Sequence, residues 1–112
     1  MKVTTRRIER LTIELEPGDN HYYIPNPFSR SFYMEPTQVV AEFTSDAPDV
    51  WQAIRSATVT GQRYRHMADG TIKKVGPGRG PRVDEPATWN FPSRTSMPHD
   101  LAQLLYDAYL AR

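Results

Sequence analysis

The sequence predicts an α+β fold: a small, mostly antiparallel sheet with a C-terminal amphipathic helix packed on one face. Three observations lead to this class. Apolar and polar residues alternate over Arg7–Glu16, two β-prone runs flank the turn Met67–Gly70, and an apolar stripe with helical spacing occupies the C-terminal end. A chain of 112 residues fits a single domain, 1–112, with one core. Its ten prolines predict a loop-rich chain.

The first half of the chain is predicted to hold two strands. Over Arg7–Glu16 every second residue from Leu11 is apolar, which is typical of a strand with one solvated side. Pro17-Gly18-Asp19-Asn20 supplies turn residues after it. The segment His21–Pro36 holds five aromatic residues and three prolines, so it is predicted as a loop with short extended pieces. A second strand follows over Gln38–Thr44.

A short helix and a hairpin are predicted next. Ser45–Asp49 carries helix-start residues, so a helix near 46–52 is expected, leading into a strand. The runs Thr58–Met67 and Thr71–Val75 flank a turn in which Gly70 takes the left-handed conformation. This register places Arg65 opposite Lys73, and facing like charges are destabilising. Either the register differs, the two side chains diverge into water, or an anion lies between them.

The C-terminal third is predicted as an arm followed by a helix. Residues 76–88 begin with Gly-Pro-Gly-Arg-Gly-Pro-Arg, a composition that favours a flexible loop or arm. Trp89 and Phe91 are expected to hold its far end against the core. Ser96 is expected to cap the last helix, whose apolar positions follow helical spacing from Leu101 to Tyr109.

Several classes of protein are excluded by composition. The chain has no cysteine, which rules out disulfides and thiolate metal sites. It contains no run of eighteen apolar residues, and the N-terminus lacks the apolar core of a signal peptide, so a cytoplasmic protein without membrane contact is expected. The three histidines are far apart, and no nucleotide-binding or nucleophile motif is present. No enzyme activity, metal or cofactor is therefore predicted.

Positive charge is concentrated in one region. Residues 55–82 hold seven basic residues and one acid, a net charge of +6, whereas the rest holds seven basic and twelve acidic residues, a net charge of −5. Such a patch can steer an acidic partner. The candidate electrostatic or nucleic-acid-binding residues are Arg63, Tyr64, Arg65, Lys73, Lys74, Arg79 and Arg82. The simpler alternative is a solvated hairpin whose charges keep an edge strand from pairing with other chains.

A second candidate surface is the aromatic and proline-rich loop. Aromatic residues and arginine are enriched at the centres of protein interfaces, and prolines lower the entropy lost on binding. The candidate partner-binding residues are Tyr22, Tyr23, Phe28, Arg30 and Phe32. The alternative is that these aromatic side chains supply the core, because the strands offer few large apolar groups.

These features predict a small non-enzymatic binding module that docks on a larger protein through the aromatic loop and the basic hairpin. The runner-up is a nucleic-acid accessory protein that binds the phosphate backbone through the hairpin and the arm. The sequence pI of about 8.1 is below the value of about 9 that is usual for dedicated nucleic-acid binders. Neither the partner nor the oligomeric state follows from the sequence.

Overall fold

A computed structural model describes residues 1–3, 5, 7–16, 23–26, 29–78 and 82–112, with Ser29 and Arg30 described by their backbone alone. The described residues form a six-stranded antiparallel sheet and a C-terminal helix, which confirms the α+β prediction. In chain order the elements are β1 Ile8–Glu14, β2 Ile24–Asn26, β3 Ser29–Thr44, α1 Val50–Ala53, β4 Ile54–His66, β5 Ile72–Val75, β6 Ala87–Phe91, a 3₁₀ turn Arg94–Ser96 and α2 His99–Ala111.

Two long strands, β3 and β4, run through the whole molecule as antiparallel neighbours. On its edge away from β4, β3 pairs with β2 through residues 29–34 and with β1 through residues 38–44. On its edge away from β3, β4 pairs with β6 through residues 57–61 and with β5 through residues 63–66. The sheet therefore has a proximal half, made of β1, β6, residues 38–44 and residues 54–61. Its distal half is made of β2, β5, residues 29–36 and residues 62–66. The longest dimension is 57 Å, which matches a 16-residue strand at about 3.3 Å per residue.

The loop predicted over His21–Pro36 is wrong for most of its described part, which forms β2 and the first half of β3. Both described prolines occupy positions that a sheet tolerates. Pro25 is in an edge strand, and Pro36 is at a bulge, where the register with β4 shifts between Pro36 and Gln38. Opposite this bulge lies Gly61, whose backbone closely approaches the backbone of Glu35 and Pro36.

The hydrophobic core lies between the proximal half and α2. Apolar residues of α2 at helical spacing, including Leu101, Leu104 and Leu105, are buried against alternate residues of β3 and β4. The ring of Phe43 is fully buried, and its centroid lies 4.6 Å from that of Tyr109. The predicted amphipathic helix on one face of the sheet is therefore confirmed.

The start of the last helix differs from the prediction. Ser96 was expected to cap it, but Ser96 belongs to the 3₁₀ turn, and α2 begins at His99 after Pro98. The Ser96 hydroxyl donates to the carbonyl of Ser93 at 2.6 Å and accepts from the amide of Ser93 at 3.3 Å. Met97 is extended because the residue before a proline is disfavoured in the helical conformation, and this separates the turn from α2.

A short helix is present at Val50–Ala53, later and shorter than the predicted 46–52, and the hairpin is present. Asp49 caps α1 by accepting the amide of Gln52 at 2.9 Å, and α1 leads directly into β4. The hairpin turn has Gly70 at φ 87°, as its sequence predicts. Arg65 pairs with Lys73 in the register, so these like charges do face each other. Within the described part of the chain, none of the helices has the length and apolar character needed to cross a bilayer.

The segment predicted as an arm is attached to the sheet at both of its described ends. The Gln62 side-chain amide donates to the carbonyls of Val75 and Val83, each at 2.9 Å. Ala87 and Thr88, which the prediction included in the arm, are the first residues of β6. They pair with β4, because strand-forming residues there bury Ala87 and Phe91 in the core.

Candidate functional site

The sheet face that points away from α2 has a different character in each half. In the proximal half it carries polar side chains that bond to each other across strands. Arg10 forms a salt bridge with Glu42 at 2.8 Å, and the Thr58 hydroxyl donates to Asn90 at 2.8 Å. Pairs of this kind are typical of a solvated sheet face. The proximal part of this face therefore has the ordinary character of a protein surface.

In the distal half the same face carries a cluster of rings. Tyr33 lies at its centre, with ring centroids 5.4 Å from Tyr64, 5.5 Å from Tyr23 and 4.9 Å from His66. Tyr33 and Tyr64 stack because they are direct partners in the β3–β4 register. We call this surface, Tyr23, Tyr33, Tyr64 and His66 with the neighbouring Ile72, the tyrosine face.

A cleft of about 420 Å³ is bordered by part of the tyrosine face and also reaches two residues of the α2 side, Phe32 and Asp100. Its walls come from four strand regions and from the first turn of α2: Tyr23, Pro25, Phe32, Tyr33, His66, Ile72 and Asp100. Tyr23 and Ile72 are large apolar side chains, yet they are 48% and 55% exposed. Adjacent exposed apolar groups of this size are typical of a binding surface. The cleft therefore joins apolar walls to a few polar groups at its margin.

Two tyrosines of the cluster have perturbed hydroxyls. Burial raises the pKa of Tyr33, and the nearby Glu35 carboxylate raises it further. Burial is also the largest cause of the raised pKa of Tyr64, to which the Glu35 charge and a hydrogen bond with Glu35 contribute. Both phenols therefore remain neutral donors over the physiological pH range.

This environment gives a titration prediction. We expect the Tyr33 contribution to tyrosinate absorbance near 295 nm, obtained as wild type minus Tyr33→Phe, to have its midpoint above the ordinary value of 10.0. Because the folded-state pKa is raised, the associated stability is complete below pH 10.0 and is lost as pH rises through the folded pKa. Glu35→Gln should lower the midpoint while keeping it elevated, since burial is the larger cause. A midpoint at or below 10.0 would contradict the described packing.

On the other side of the distal half, facing the α2 layer, lies a cluster of cations around a ring. The guanidinium carbons of Arg63 and Arg65 lie 4.7 Å and 5.5 Å from the centroid of the Phe32 ring. Lys73 is the register partner of Arg65 and shares this side. We call Phe32, Arg63, Arg65 and Lys73 the arginine cluster.

The remaining predicted basic residues are placed differently. Lys74 points to the tyrosine side and forms a salt bridge with Asp84 at 2.7 Å. The Asp84 contact raises the pKa of Lys74 through a hydrogen bond and direct attraction. Arg82 lies 3.9 Å from Glu85. The acids of the loop after β5 thus lie next to two of the predicted cations, and Arg79 is outside the described residues.

The structure divides the predicted aromatic anchors between two surfaces. Tyr23 is on the tyrosine face, and Phe32 belongs to the arginine cluster. Tyr22 and Phe28 lie outside the described residues, as does the side chain of Arg30. Tyr64, considered as a base-stacking residue, stacks on Tyr33 instead and so shares the surface of Tyr23.

The partner-binding residues predicted from the sequence do not include Tyr33, His66 or Ile72. Tyr33 is one of the five aromatic residues of His21–Pro36, His66 is one of three histidines far apart in the sequence, and Ile72 is in a predicted hairpin strand. If residues 29–36 had been recognised as a strand with the same alternation as β4, pairing the two strands would have placed Tyr33 beside Tyr64. That signal was hidden by the prolines, which favoured a loop.

Among the described residues, no three histidine, aspartate or glutamate side chains converge in a way that could hold a metal ion. No protein-family model, curated protein or solved structure matches the chain.

Proposed function

We propose that the chain is a small non-enzymatic docking module that binds an acidic surface of a larger protein through its distal half. The observation that carries the proposal is the tyrosine face, where Tyr23, Tyr33, His66 and the exposed Ile72 line a cleft of about 420 Å³ and Tyr64 stacks on Tyr33. The proposed location is the cytoplasm, in keeping with the cysteine-free composition.

The chemistry of the tyrosine face suits protein recognition. Tyrosine combines a large apolar ring with a hydroxyl donor, and few of its torsions are lost on binding. Tyr33 is held on three sides by Tyr23, Tyr64 and His66, so the rings are ordered before a partner arrives. Preorganisation of this kind lowers the entropic cost of association.

Charge favours an acidic partner. The distal half carries Arg63, Arg65 and Lys73 on its α2 side, whereas the rest of the chain outside 55–82 has a net charge of −5. Such an uneven distribution orients the molecule during encounter and raises the association rate. The cations thus favour an acidic partner over others, and the tyrosine rings help to keep that partner bound.

A nucleic-acid accessory role is the alternative proposal, supported by the same cations. It is weakened by the pairing of Lys74 with Asp84 and of Arg82 with Glu85, because these acids repel a phosphate backbone. It is also weakened by Tyr64, whose ring stacks on Tyr33 and lies on the opposite side from Arg63.

The proposed function is tested by parallel capture from an extract of the cells that encode the chain. The baits are wild type, Tyr33→Ala/Tyr64→Ala and the control Thr58→Ala/Thr60→Ala, which alters the same sheet face in the proximal half. We expect the tyrosine variant to lose a specific protein at least about tenfold by quantitative mass spectrometry, because aromatic anchors dominate binding energy. The threonine variant should retain it.

Circular dichroism on all three baits establishes that each is folded. Equal capture by the tyrosine variant would refute the proposal. Salt titration against duplex and single-stranded DNA by fluorescence anisotropy tests the alternative, since backbone binding makes log affinity fall linearly with log salt. Salt-sensitive DNA binding that survives Tyr33→Ala/Tyr64→Ala would favour the accessory role.

A further inference from the structure

We propose that the arginine cluster is a carboxylate-binding subsite, which receives acidic side chains from an extended segment of the protein partner. The proposal rests on the docking function above and adds a second, chemically distinct contact on the other side of the same half-sheet. The feature that carries it is the convergence of Arg63 and Arg65 on one Phe32 ring, with Lys73 directly alongside.

The cluster places three cationic residues at neighbouring positions on one side of the sheet. Arg63 and Arg65 are alternate residues of β4 and share the Phe32 ring, and Lys73 faces Arg65 across the hairpin. Like charges at facing positions are destabilising unless a counter-charge is supplied. An incoming carboxylate provides that counter-charge, so its binding offsets the repulsion between the cations of the cluster.

Among the described residues, the two acids of the loop after β5 are engaged elsewhere. Asp84 is bound to Lys74 on the tyrosine side, and Glu85 is next to Arg82. Arg63 supports the same conclusion: its Nε is buried and has no hydrogen-bond acceptor among the described residues. Its guanidinium is therefore positioned by the Phe32 ring rather than by an acid of the described chain.

The geometry suits carboxylates on an extended peptide. The Cα atoms of Arg63 and Arg65, two residues apart on one strand, are spaced by about 6.7 Å, the same repeat as alternate residues of an extended partner segment. Each guanidinium offers a planar fork that matches a carboxylate. An acidic protein segment is therefore the favoured occupant.

The test uses a fluorescein-labelled peptide with glutamate at alternate positions and serine between them, followed by anisotropy at low salt. We expect this peptide to bind wild type and to bind Arg63→Gln/Arg65→Gln about tenfold or more weakly. Arg10→Gln/Arg55→Gln removes the same charge from exposed proximal positions and should bind as wild type does. Lys73→Gln, on an edge strand, provides a milder variant that should weaken binding several-fold.

Three outcomes would overturn the proposal. One is equal binding of a peptide in which glutamine replaces glutamate. Another is equal loss of binding in the proximal and distal arginine variants, which would show nonspecific attraction. The third is tighter binding of single-stranded DNA at matched charge and salt, lost with Arg63→Gln/Arg65→Gln, which would assign the cluster to phosphate. Circular dichroism and Lys73→Gln separate loss of binding from loss of folding.

The same variants distinguish this proposal from the docking function. If Tyr33→Ala/Tyr64→Ala loses the captured partner but Arg63→Gln/Arg65→Gln retains it, docking stands and the carboxylate subsite falls. If the acidic peptide binds normally while capture is unchanged in the tyrosine variant, the subsite stands and the tyrosine face is not the docking surface.

Discussion

The substitution Gly61→Ala is expected to lower the free energy of unfolding by about 3 kcal/mol, the upper end of the usual cost of overpacking. A Cβ at this position would lie 2.8 Å from the Cα of Pro36 and closer still to the carbonyl oxygen of Glu35. Both are backbone atoms, so neither can move aside as a flexible side chain would. The clash is relieved only if β3 and β4 separate at the Pro36 bulge.

The measurement is urea unfolding followed by circular dichroism, with Gly78→Ala as the matched control. A Cβ on Gly78 meets no atom within 4 Å, so the same chemical change should alter stability by no more than about 0.5 kcal/mol. Equal stability of the two variants would show that the strands have room to separate at Gly61. In that case the β3 and β4 backbones would not be as closely packed at the Pro36 bulge as the structure describes.

The consequence of Gly61→Ala extends to the candidate sites. Arg63, Tyr64 and Arg65 follow Gly61 on β4, and each depends on the β3–β4 register for its ring partner. A strand displaced at Gly61 moves Tyr64 away from Tyr33 and Arg63 away from Phe32. The close contact of Gly61 with Glu35 and Pro36 thus determines the geometry of both distal surfaces.

Local patterns were sufficient to predict β1, the strand over residues 38–44, α2 and the hairpin. The alternation through Leu11 and Ile13 gave β1, and the helical stripe from Leu101 gave α2, because both patterns reflect burial against one core. The hairpin around Gly70 followed from turn chemistry. In each case the physical cause lies within a few residues of the signal.

The first half of β3 could not be predicted in this way. Pro25 and Pro36 indicate a loop when considered locally, yet one occupies an edge strand and the other a bulge. Whether a proline disrupts a strand depends on which neighbour would have accepted its missing hydrogen bond. That information is contained in the sheet topology, which β2 and β4 supply from distant parts of the chain.

The tyrosine face was hidden for the same reason. Tyr33 and Tyr64 are 31 positions apart and meet only through the register of β3 with β4. Composition could mark residues 63–74 as basic, but it could not divide their charges between two sides of a sheet. Alternation does so: Arg63 and Arg65 fall on one side, and Tyr64 on the other.

The substitution Phe43→Ala is expected to cost about 3–5 kcal/mol of unfolding free energy. Phe43 is fully buried between the sheet and α2, with its ring 4.6 Å from Tyr109. Its removal leaves a cavity in the largest part of the core. The control is Leu110→Ala on the same helix layer, where a side chain that is 61% exposed should cost no more than about 0.5 kcal/mol.

Hydrogen exchange by mass spectrometry shows how far the effect of Phe43→Ala extends. The distal half contributes few residues to the core, chiefly Ile24 and Met34, so it depends on β3 and β4 continuing from the proximal half. We therefore expect amides in residues 29–36 and 62–75 to lose protection together with those in residues 38–44. Faster exchange confined to the proximal half would contradict this coupling. The tyrosine face would then be stabilised by its own ring contacts, and the ordering of the docking surface would be independent of the helix-covered core.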